Sequence, residues 1–598
     1  MEGILVVEGK VLKVKFTNNK GKEVAFLIPE KETDKYILNC KKTNNLAKLN
    51  NLPVYLEVEN GQPCQVRPQK EILNEPNATV RPQNNQLNNR NQNQPRANPG
   101  QQPPAEGDFH NPYNFVPALP RNGEKLKYSE LGDLCPSGHD QYYSKYWSGK
   151  ISVKLTTKTP LLIPDASQMD QSGEHKIYPL RKIDGKPYLP PTSIKGMLRA
   201  AYEAVTNSRL SVFEKHDQKL MYRSGRQKTF YSKSPQSLLD KSLQPAQKLS
   251  DLSPADRVFG WVNQNGEGAY RGNLRIFNVL YTHSDPIQKL GVGLPLAILG
   301  QPKPQQGRFY AAKDAQGRPF DKNTRKQDFY QAGTGLRGRK VYPHHRIGVD
   351  DYWNPPAQTP RPIQTETAIT PVVNNRPITR QQRTIQAANN LPIPQQQQPT
   401  QTQIGGDDTN REYLRLGEAQ DNQNRSITEW VKPDVTFEFE IEVTNLSSVE
   451  LGALLWLLDL PENNYHRLGG GKPLGFGSVD LAVEHTELRN GEELGNYYRS
   501  LLAPPAPIQF DQDKLIAEFK QAVKTSYGSD FQKVSFIKAF CRSAQGFIDG
   551  NPIHYPRRSK EPNINGESFK WFVENEKNNN QHSLGYLPND SGLPRLPE

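Results

Sequence analysis

Residues 466–478 read His-Arg-Leu-Gly-Gly-Gly-Lys-Pro-Leu-Gly-Phe-Gly-Ser, and we call this segment the glycine loop. Five glycines within nine residues carry a large conformational-entropy cost, which a chain tolerates where φ must be positive or where main-chain amides face a ligand. Basic residues interrupt the run, so the predicted ligand is an anion. The candidate contacts are His466, Arg467, Gly469, Gly470, Gly471, Lys472, Gly475, Phe476 and Gly477.

The glycine loop has two other possible interpretations. A Walker phosphate loop is excluded, because His466 stands where that motif has its first glycine and Pro473 follows Lys472 in place of Ser or Thr. A tight turn between a helix and a strand explains the glycines equally well when they are considered alone. The glycines therefore leave the choice between a turn and a binding loop open.

A second candidate site lies at the predicted start of a helix near Pro191. Apolar residues from Ile194 to Val205 recur at helical spacing, whereas Lys195, Arg199 and Tyr202 fall on the other side. A helix N-terminus with free amides, hydroxyl groups and a lysine is a ready phosphate site, although a solvated basic face would look the same. The candidate contacts are Thr192, Ser193, Lys195, Gly196 and Arg199.

A third candidate is the segment 301–350, which holds eleven Lys or Arg against four Asp, with aromatic residues interleaved. Cations that hold phosphates and rings that stack on bases are what a single-strand groove requires. The densest part contains Arg337, Arg339 and Lys340 and ends in His344-His345. No neighbouring carboxylate pattern supports metal binding by that histidine pair, so we predict no metal site.

The composition favours an anionic partner. The chain has 598 residues and a net charge of +13, which indicates several domains and a nucleic acid or another anionic surface. No apolar run approaches the length of a membrane span, and a signal-peptide pattern is lacking at the start, so we expect a cytoplasmic protein without a membrane partner. The four cysteines lack the spacing of zinc ligands or of a disulfide framework.

These elements predict an α+β protein: a ferredoxin-like domain with long insertions, preceded by a small all-β, OB-like barrel. The strongest strand alternation is at 435–443, and two strand–helix–strand halves flank the insertions. The predicted divisions are a barrel at 1–70, an Asn/Gln/Pro-rich linker at 71–140, the first part of the main domain at 141–280, a basic aromatic insertion at 281–350, a disordered Pro/Gln-rich segment at 351–428, the second part of the main domain at 429–487 and a helical extension at 488–598.

Three segments in this order resemble a known family. They are 191–199 (Pro-Thr-Ser-Ile-Lys-Gly-Met-Leu-Arg), 257–260 (Arg-Val-Phe-Gly) and the glycine loop. Together they are similar to the RAMP superfamily of CRISPR-associated proteins, and most of all to the backbone subunits of type III effector complexes. The resemblance covers about 145–485, apart from the Pro/Gln-rich segment.

The resemblance implies a modified RNA-recognition fold that holds the backbone of a guide RNA and lines the guide–target duplex, with guide RNA, target RNA and other CRISPR effector subunits as partners. The helix start and the glycine loop would contact the guide. Some members cut target RNA with an aspartate in the loop after the first strand. The corresponding loop here contains Asp165 and Asp170 but lacks the glycine run that usually precedes that aspartate. A divalent metal is expected only if cleavage occurs; no other cofactor is expected.

Three functions remain open from the sequence. The first is a structural RNA-binding subunit, with or without target cleavage through Asp165. The second is an endoribonuclease that processes the guide precursor with His344, His345 or His466 as its base. The third is a general single-strand-binding protein that uses the N-terminal barrel.

Overall fold

The computed structural model divides the chain into two compact units, 1–101 and 102–598. It describes residues 2–8, 11–17, 23–27, 37, 49, 52–59, 62–68, 107–121, 123–211, 219, 221–224, 228–264, 266–282, 284–301, 303–347, 352–353, 411–414, 422–499, 510–562, 568–577 and 580–597.

The first unit contains one antiparallel five-stranded sheet. Its strands are β1 (Glu2–Glu8), β2 (Val11–Thr17), β3 (Glu23–Leu27), β4 (Pro53–Glu59) and β5 (Gln62–Pro68), in the order β3-β2-β1-β4-β5. Leu12, Val14 and Phe16 are buried, whereas Lys13 and Lys15 between them are more exposed. The alternation that predicted strands here therefore reflects one buried face.

The second unit is a mixed α/β structure. Its two main sheets and its principal helices comprise β6 (Trp147–Thr157), β7 (Asp170–Ser172), β8 (His175–Tyr178), α1 (Pro191–Val205), α2 (Pro254–Phe259), β9 (Leu274–Tyr281), β10 (Ile287–Leu296), β11 (Arg425–Val431), β12 (Thr436–Leu446), α3 (Ser448–Leu458), β13 (His466–Arg467), β14 (Ser478–Asn490), α4 (Gly491–Arg499), α5 (Gln512–Tyr527), α6 (Ser535–Gln545) and α7 (Ser568–Asn575). Shorter strands and helical turns connect them.

The central sheet has the order β9-β12-β6-β14-β13, and every neighbouring pair is antiparallel. Along the chain its main elements follow as β6–α1–β9–β12–α3–β14. Alternate residues of β12, such as Phe437, Phe439 and Ile441, are buried in the largest apolar core together with α1 and α3. A second sheet, β10-β11-β8-β7, is antiparallel except where β11 runs parallel to β8.

Helix α1 begins at Pro191 because proline fixes φ for the first helical position and needs no amide partner. Its apolar stripe, including Ile194, Leu198 and Val205, is buried as predicted. The prediction for Tyr202 was wrong: its ring is fully buried, and its hydroxyl donates to the Glu450 carbonyl at 3.0 Å. The exposed side of α1 is therefore narrower than the sequence pattern indicated.

The C-terminal helices are part of the second unit. Helix α5 packs closely on α3, since a Cβ at Gly452 would lie 2.1 Å from the Leu515 carbonyl oxygen. Phe109, Trp571 and Leu593 share one buried cluster, which joins residues near 109 to the C-terminus. The described residues of 107–140 therefore belong to the folded unit, and the linker predicted at 71–140 extends too far toward the C-terminus.

The predicted disordered segment 351–428 also contains ordered parts. Tyr413 is fully buried beside Trp353, with ring centroids 4.9 Å apart, and β11 begins at Arg425. The predicted boundary at 428 is thus too late. The remaining residues of that segment, and residues 71–106 of the predicted linker, lie outside the described residues. No helix in the described ranges is long and apolar enough to span a membrane.

Candidate functional site

A cleft of about 830 Å³ lies between the first turns of α1, the glycine loop and the short strand Arg339–Val341. We call it the main cleft. All three segments identified from the sequence contribute to its lining, and the basic insertion does so through Arg339, Lys340, Val341 and Tyr342. The predicted site residues among its lining residues are Ser193, Gly196, Arg199, Arg339, Lys340, His466, Arg467, Gly469, Gly470 and Lys472.

The start of α1 presents an open surface to the main cleft. Thr192, Ser193 and Gly196 are exposed, and no side chain caps the helix N-terminus. A Cβ placed on Gly196 would have no atom within 4 Å. The protein itself therefore does not require glycine at this position, although glycine weakens a helix interior by about 1 kcal/mol relative to alanine. An approaching ligand would explain it.

The two cations of this helix are held differently. Arg199 donates to the Gly260 carbonyl at 2.8 Å and lies 3.4 Å from Asp256. Lys195 donates to the Leu274 carbonyl at 2.7 Å and does not line the main cleft. Burial, together with the charges of Arg199 and Arg275, lowers the pKa of Lys195.

Most of the glycines in the loop are required by the fold. Gly469, Gly471, Gly475 and Gly477 all have positive φ, between 65° and 96°. A Cβ at Gly477 would lie 1.8 Å from the Leu468 carbonyl oxygen, and one at Gly469 would lie 2.3 Å from the Leu162 carbonyl oxygen. Phe476 is fully buried in an aromatic cluster with Trp430. Turn geometry thus accounts for four of the five glycines; at Gly470 a Cβ would make only ordinary contacts.

The charges of the loop point to an anion more clearly than its glycines do. Arg467 donates to the carbonyl of Lys472 at 2.8 Å and to the Ser478 hydroxyl, and burial lowers its pKa to about 9. Burial and the neighbouring Arg467 lower the pKa of Lys472. Among the described residues, no carboxylate lies within 4 Å of either side chain. Two partly buried cations thus share one wall without a counter-charge, which is costly unless an anion binds.

The basic insertion contributes less than its composition predicted. Arg337 is buried and donates to the carbonyls of Leu584 (2.6 Å) and Gly585 (2.5 Å), and burial lowers its pKa to about 10. Arg339 is buried beside Glu203, 3.2 Å away. Both guanidinium groups hold the fold together. Lys340 differs from Arg339, which also lines the main cleft, because it is only partly buried, and its ammonium lies 3.9 Å from the Tyr113 ring centroid.

Many rings of the insertion are also structural. Phe309, Phe329 and Tyr330 are each about 1% exposed, so they cannot stack on bases. Tyr342 remains partly exposed and lines the main cleft, as does Tyr465 near the glycine loop. Most of the rings expected to stack on bases in the segment 301–350 are therefore part of the protein's own packing.

The three histidines considered as bases are buried. His344 Nδ1 lies 2.7 Å from the Ser478 hydroxyl, and His466 Nε2 lies 2.7 Å from the Leu457 carbonyl. Burial lowers the pKa of His344 to about 3 and that of His466 to about 4, and it lowers the pKa of His345 as well. A general base works best with a pKa nearer 7, so these lowered pKa values do not suit the role, even for His466 in the lining of the main cleft.

The two loop carboxylates lie outside the wall of the main cleft. Asp165 accepts from the Ser167 hydroxyl at 2.6 Å and from its amide at 3.0 Å, and these bonds lower its pKa. Its neighbours Ile163 and Pro164 line the cleft. Asp170 is exposed at the start of β7. In the described part of the chain, no group of three or more His, Cys, Asp or Glu side chains could hold a metal ion.

Sequence reasoning missed Arg181, which also lines the main cleft. It follows β8 and its guanidinium lies 5.5 Å from the Tyr188 ring centroid. A single arginine in an irregular segment gives no periodic signal, so only the three-dimensional arrangement identifies it.

The RAMP superfamily profile matches residues 154–480 of the chain. This protein belongs to the RAMP superfamily. The matched residues run from β6 into β14 and include α1, Arg257 and the glycine loop, so the resemblance inferred from three short segments is confirmed.

Two solved structures similar to this RAMP protein are a "Type IV-B CRISPR Complex" and the "Crystal structure of Thermofilum pendens Csc2". The first has 12% identity and a TM-score of 0.22, covering 60% of this chain and 95% of that chain. The second has 10% identity and a TM-score of 0.23, covering 70% and 93%. No curated protein matches this chain.

Proposed function

We propose that this protein is a structural RNA-binding subunit of a CRISPR effector complex of type III, which holds guide RNA in the main cleft and lines the guide–target duplex. Other effector subunits and target RNA are its further partners. The observation that carries the proposal is the wall formed by Arg467 and Lys472, two partly buried cations without a carboxylate partner in the described ranges. A phosphodiester chain would supply that charge.

The topology supports the same proposal. The chain order β6–α1–β9–β12–α3–β14 and the sheet order β9-β12-β6-β14 match a ferredoxin-like, RNA-recognition-motif-like arrangement. The order β3-β2-β1-β4-β5 of the first unit is compatible with an open OB-like barrel. Cleavage of target RNA by Asp165, with a divalent metal, is a separate proposal. RNA binding in the main cleft does not depend on it.

Sequencing the RNA that copurifies with the protein tests the assignment. A guide-binding subunit should carry RNAs that share a repeat-derived 5′ end. Random cellular RNA in the eluate would contradict the CRISPR assignment.

Replacing Lys472 by glutamine tests the site itself. We expect single-stranded RNA affinity to fall about tenfold at low salt, and the slope of log affinity against log salt to lose about 0.7, the value of one phosphate contact. Lys514→Gln removes an exposed lysine of α5 and serves as the matched control. An unchanged slope in Lys472→Gln would place the RNA elsewhere.

Gly196→Ala should separate stability from binding. Because a Cβ there meets nothing, the variant should gain about 0.5–1 kcal/mol in free energy of unfolding. If RNA phosphates approach the helix main chain, the methyl group should lower RNA affinity about tenfold, the loss expected for one charged hydrogen bond.

Gly495→Ala is the control for that experiment. Gly495 lies within α4, outside the lining of the main cleft, and a Cβ there also meets nothing within 4 Å. This variant should gain similar stability with unchanged RNA affinity. If the two variants bind RNA equally well, the start of α1 is not a contact.

A further inference from the structure

The cations at the start of α1 do not all belong to the main cleft. Lys195 hydrogen-bonds to the Leu274 carbonyl, which places its ammonium against the start of β9. The next residue of β9, Arg275, is exposed, and Arg271 is exposed on the short strand Ala269–Arg271 just before it. In the described residues, no carboxylate lies within 4 Å of any of these three cations.

Arg199 connects this group to the main cleft. Its side chain lines the cleft and also donates to the Gly260 carbonyl at 2.8 Å. Gly260 is paired directly with Arg271 across the hairpin formed by Gly260–Val262 and Ala269–Arg271. Cations therefore extend from Arg199 in two directions. Lys195 and Arg275 lie on one side of it, and Arg271 lies on the other.

The row borders a separate cavity of about 440 Å³. Arg271 and Arg275 line it together with Asp140, Glu442 and Tyr142. The Tyr142 side chain is 49% exposed. Glu442 is opposite Arg275 in the strand register, but no ion pair forms between them within 4 Å.

We infer that the RNA strand continues from the main cleft past Arg199 and Lys195, and that a nucleotide occupies this second cavity with its phosphates on Arg271 and Arg275. The inference rests on the proposed function. The mixed lining favours a nucleotide over other ligands: the arginines suit phosphates, the carboxylates accept from base amino groups, and an exposed tyrosine ring offers a stacking surface. An acidic peptide would be repelled by Asp140 and Glu442, and a bare metal ion by the arginines.

The test compares two RNA lengths on the full, RNA-free chain. A short oligonucleotide of about 4 residues fills only the main cleft, whereas one of about 16 also reaches the cavity. In Arg271→Gln/Arg275→Gln, affinity for the long RNA should fall at least tenfold, and its salt slope should lose about 1.4, the value of two phosphate contacts. Affinity for the short RNA should stay as in the wild type.

Arg499→Gln/Lys514→Gln removes two exposed cations from α4 and α5 and controls for net charge. It should bind both RNAs as the wild type does. If the arginine pair binds long RNA like this control, the inference is overturned while the proposed function stands. If wild-type protein binds neither RNA, the proposed function itself fails. Preferential binding of an acidic peptide that competes with the long RNA would also overturn the inference.

Discussion

Arg257→Ala should lower the free energy of unfolding by about 3–5 kcal/mol, the usual cost of breaking a buried ion pair. Arg257 is 5% exposed and donates to Glu450 at 2.6 Å. Its other nitrogens donate to the carbonyls of Glu130 (2.6 Å), Gly132 (3.0 Å) and Leu252 (2.6 Å). Without the guanidinium group, each of these buried carbonyls would lose a donor and the Glu450 carboxylate would lose its opposite charge.

Glu450 makes the effect larger than that of a single contact. Its carboxylate also accepts from the Ser447 amide at 3.1 Å, which caps α3, and its carbonyl accepts from Tyr202 of α1. The Arg257–Glu450 pair thus joins α1, α2 and α3 beneath the central sheet. Urea unfolding of the purified variants measures the loss.

Two further variants show whether the loss of stability comes from the buried hydrogen bonds of Arg257. Arg257→Lys retains the charge, but one ammonium group cannot reach all four acceptors, so at least about 2 kcal/mol of the loss should remain. Arg325→Ala removes an exposed arginine paired with Asp328 and should change stability by less than about 0.5 kcal/mol. If Arg257→Ala lowers RNA affinity without lowering stability, the residue contacts RNA and the structural assignment is wrong.

The strands and helices that have one buried face could be predicted from the sequence. The alternation at 435–443 lies within β12, and the helical spacing from Ile194 to Val205 lies within α1. When buried positions recur at regular spacing, apolar residues recur at the same spacing in the sequence. The local sequence pattern is then sufficient to predict the element. The same reasoning found two walls of the main cleft, since α1 and the glycine loop each have a local signature.

Partners distant in sequence could not be predicted. Arg337 and Arg339 looked like surface cations because a basic run is usually solvated, but carbonyls near residue 584 and the Glu203 carboxylate receive them inside the protein. Charge in a sequence gives no information on whether such acceptors are nearby. In the glycine loop the glycines alone left a turn and a binding loop equally open, and four of them serve the turn. The charges of Arg467 and Lys472, which have no carboxylate partner among the described residues, are what point to an anion.

Acid should destabilise the protein through the histidines once considered as catalytic bases. The folded-state pKa values of His344 and His466 are about 3 and about 4, below the value near 6.5 of an unfolded chain. The folded state therefore binds fewer protons than the unfolded state between these values. Stability is full above pH 6.5 and falls by about 1.4 kcal/mol per pH unit for each histidine as the pH drops toward 4.

Between pH 7.5 and pH 5, each of the two histidines should therefore cost about 2 kcal/mol of unfolding free energy. Urea unfolding at both pH values measures the loss. His466→Gln keeps a donor for the Leu457 carbonyl but cannot take up a proton, so it should remove about 2 kcal/mol of the acid-induced loss. His485→Gln changes an exposed histidine of β14 and should leave the loss intact. An equal loss in both variants would mean that His466 is not buried in its neutral form, and its exclusion as a base would then fall.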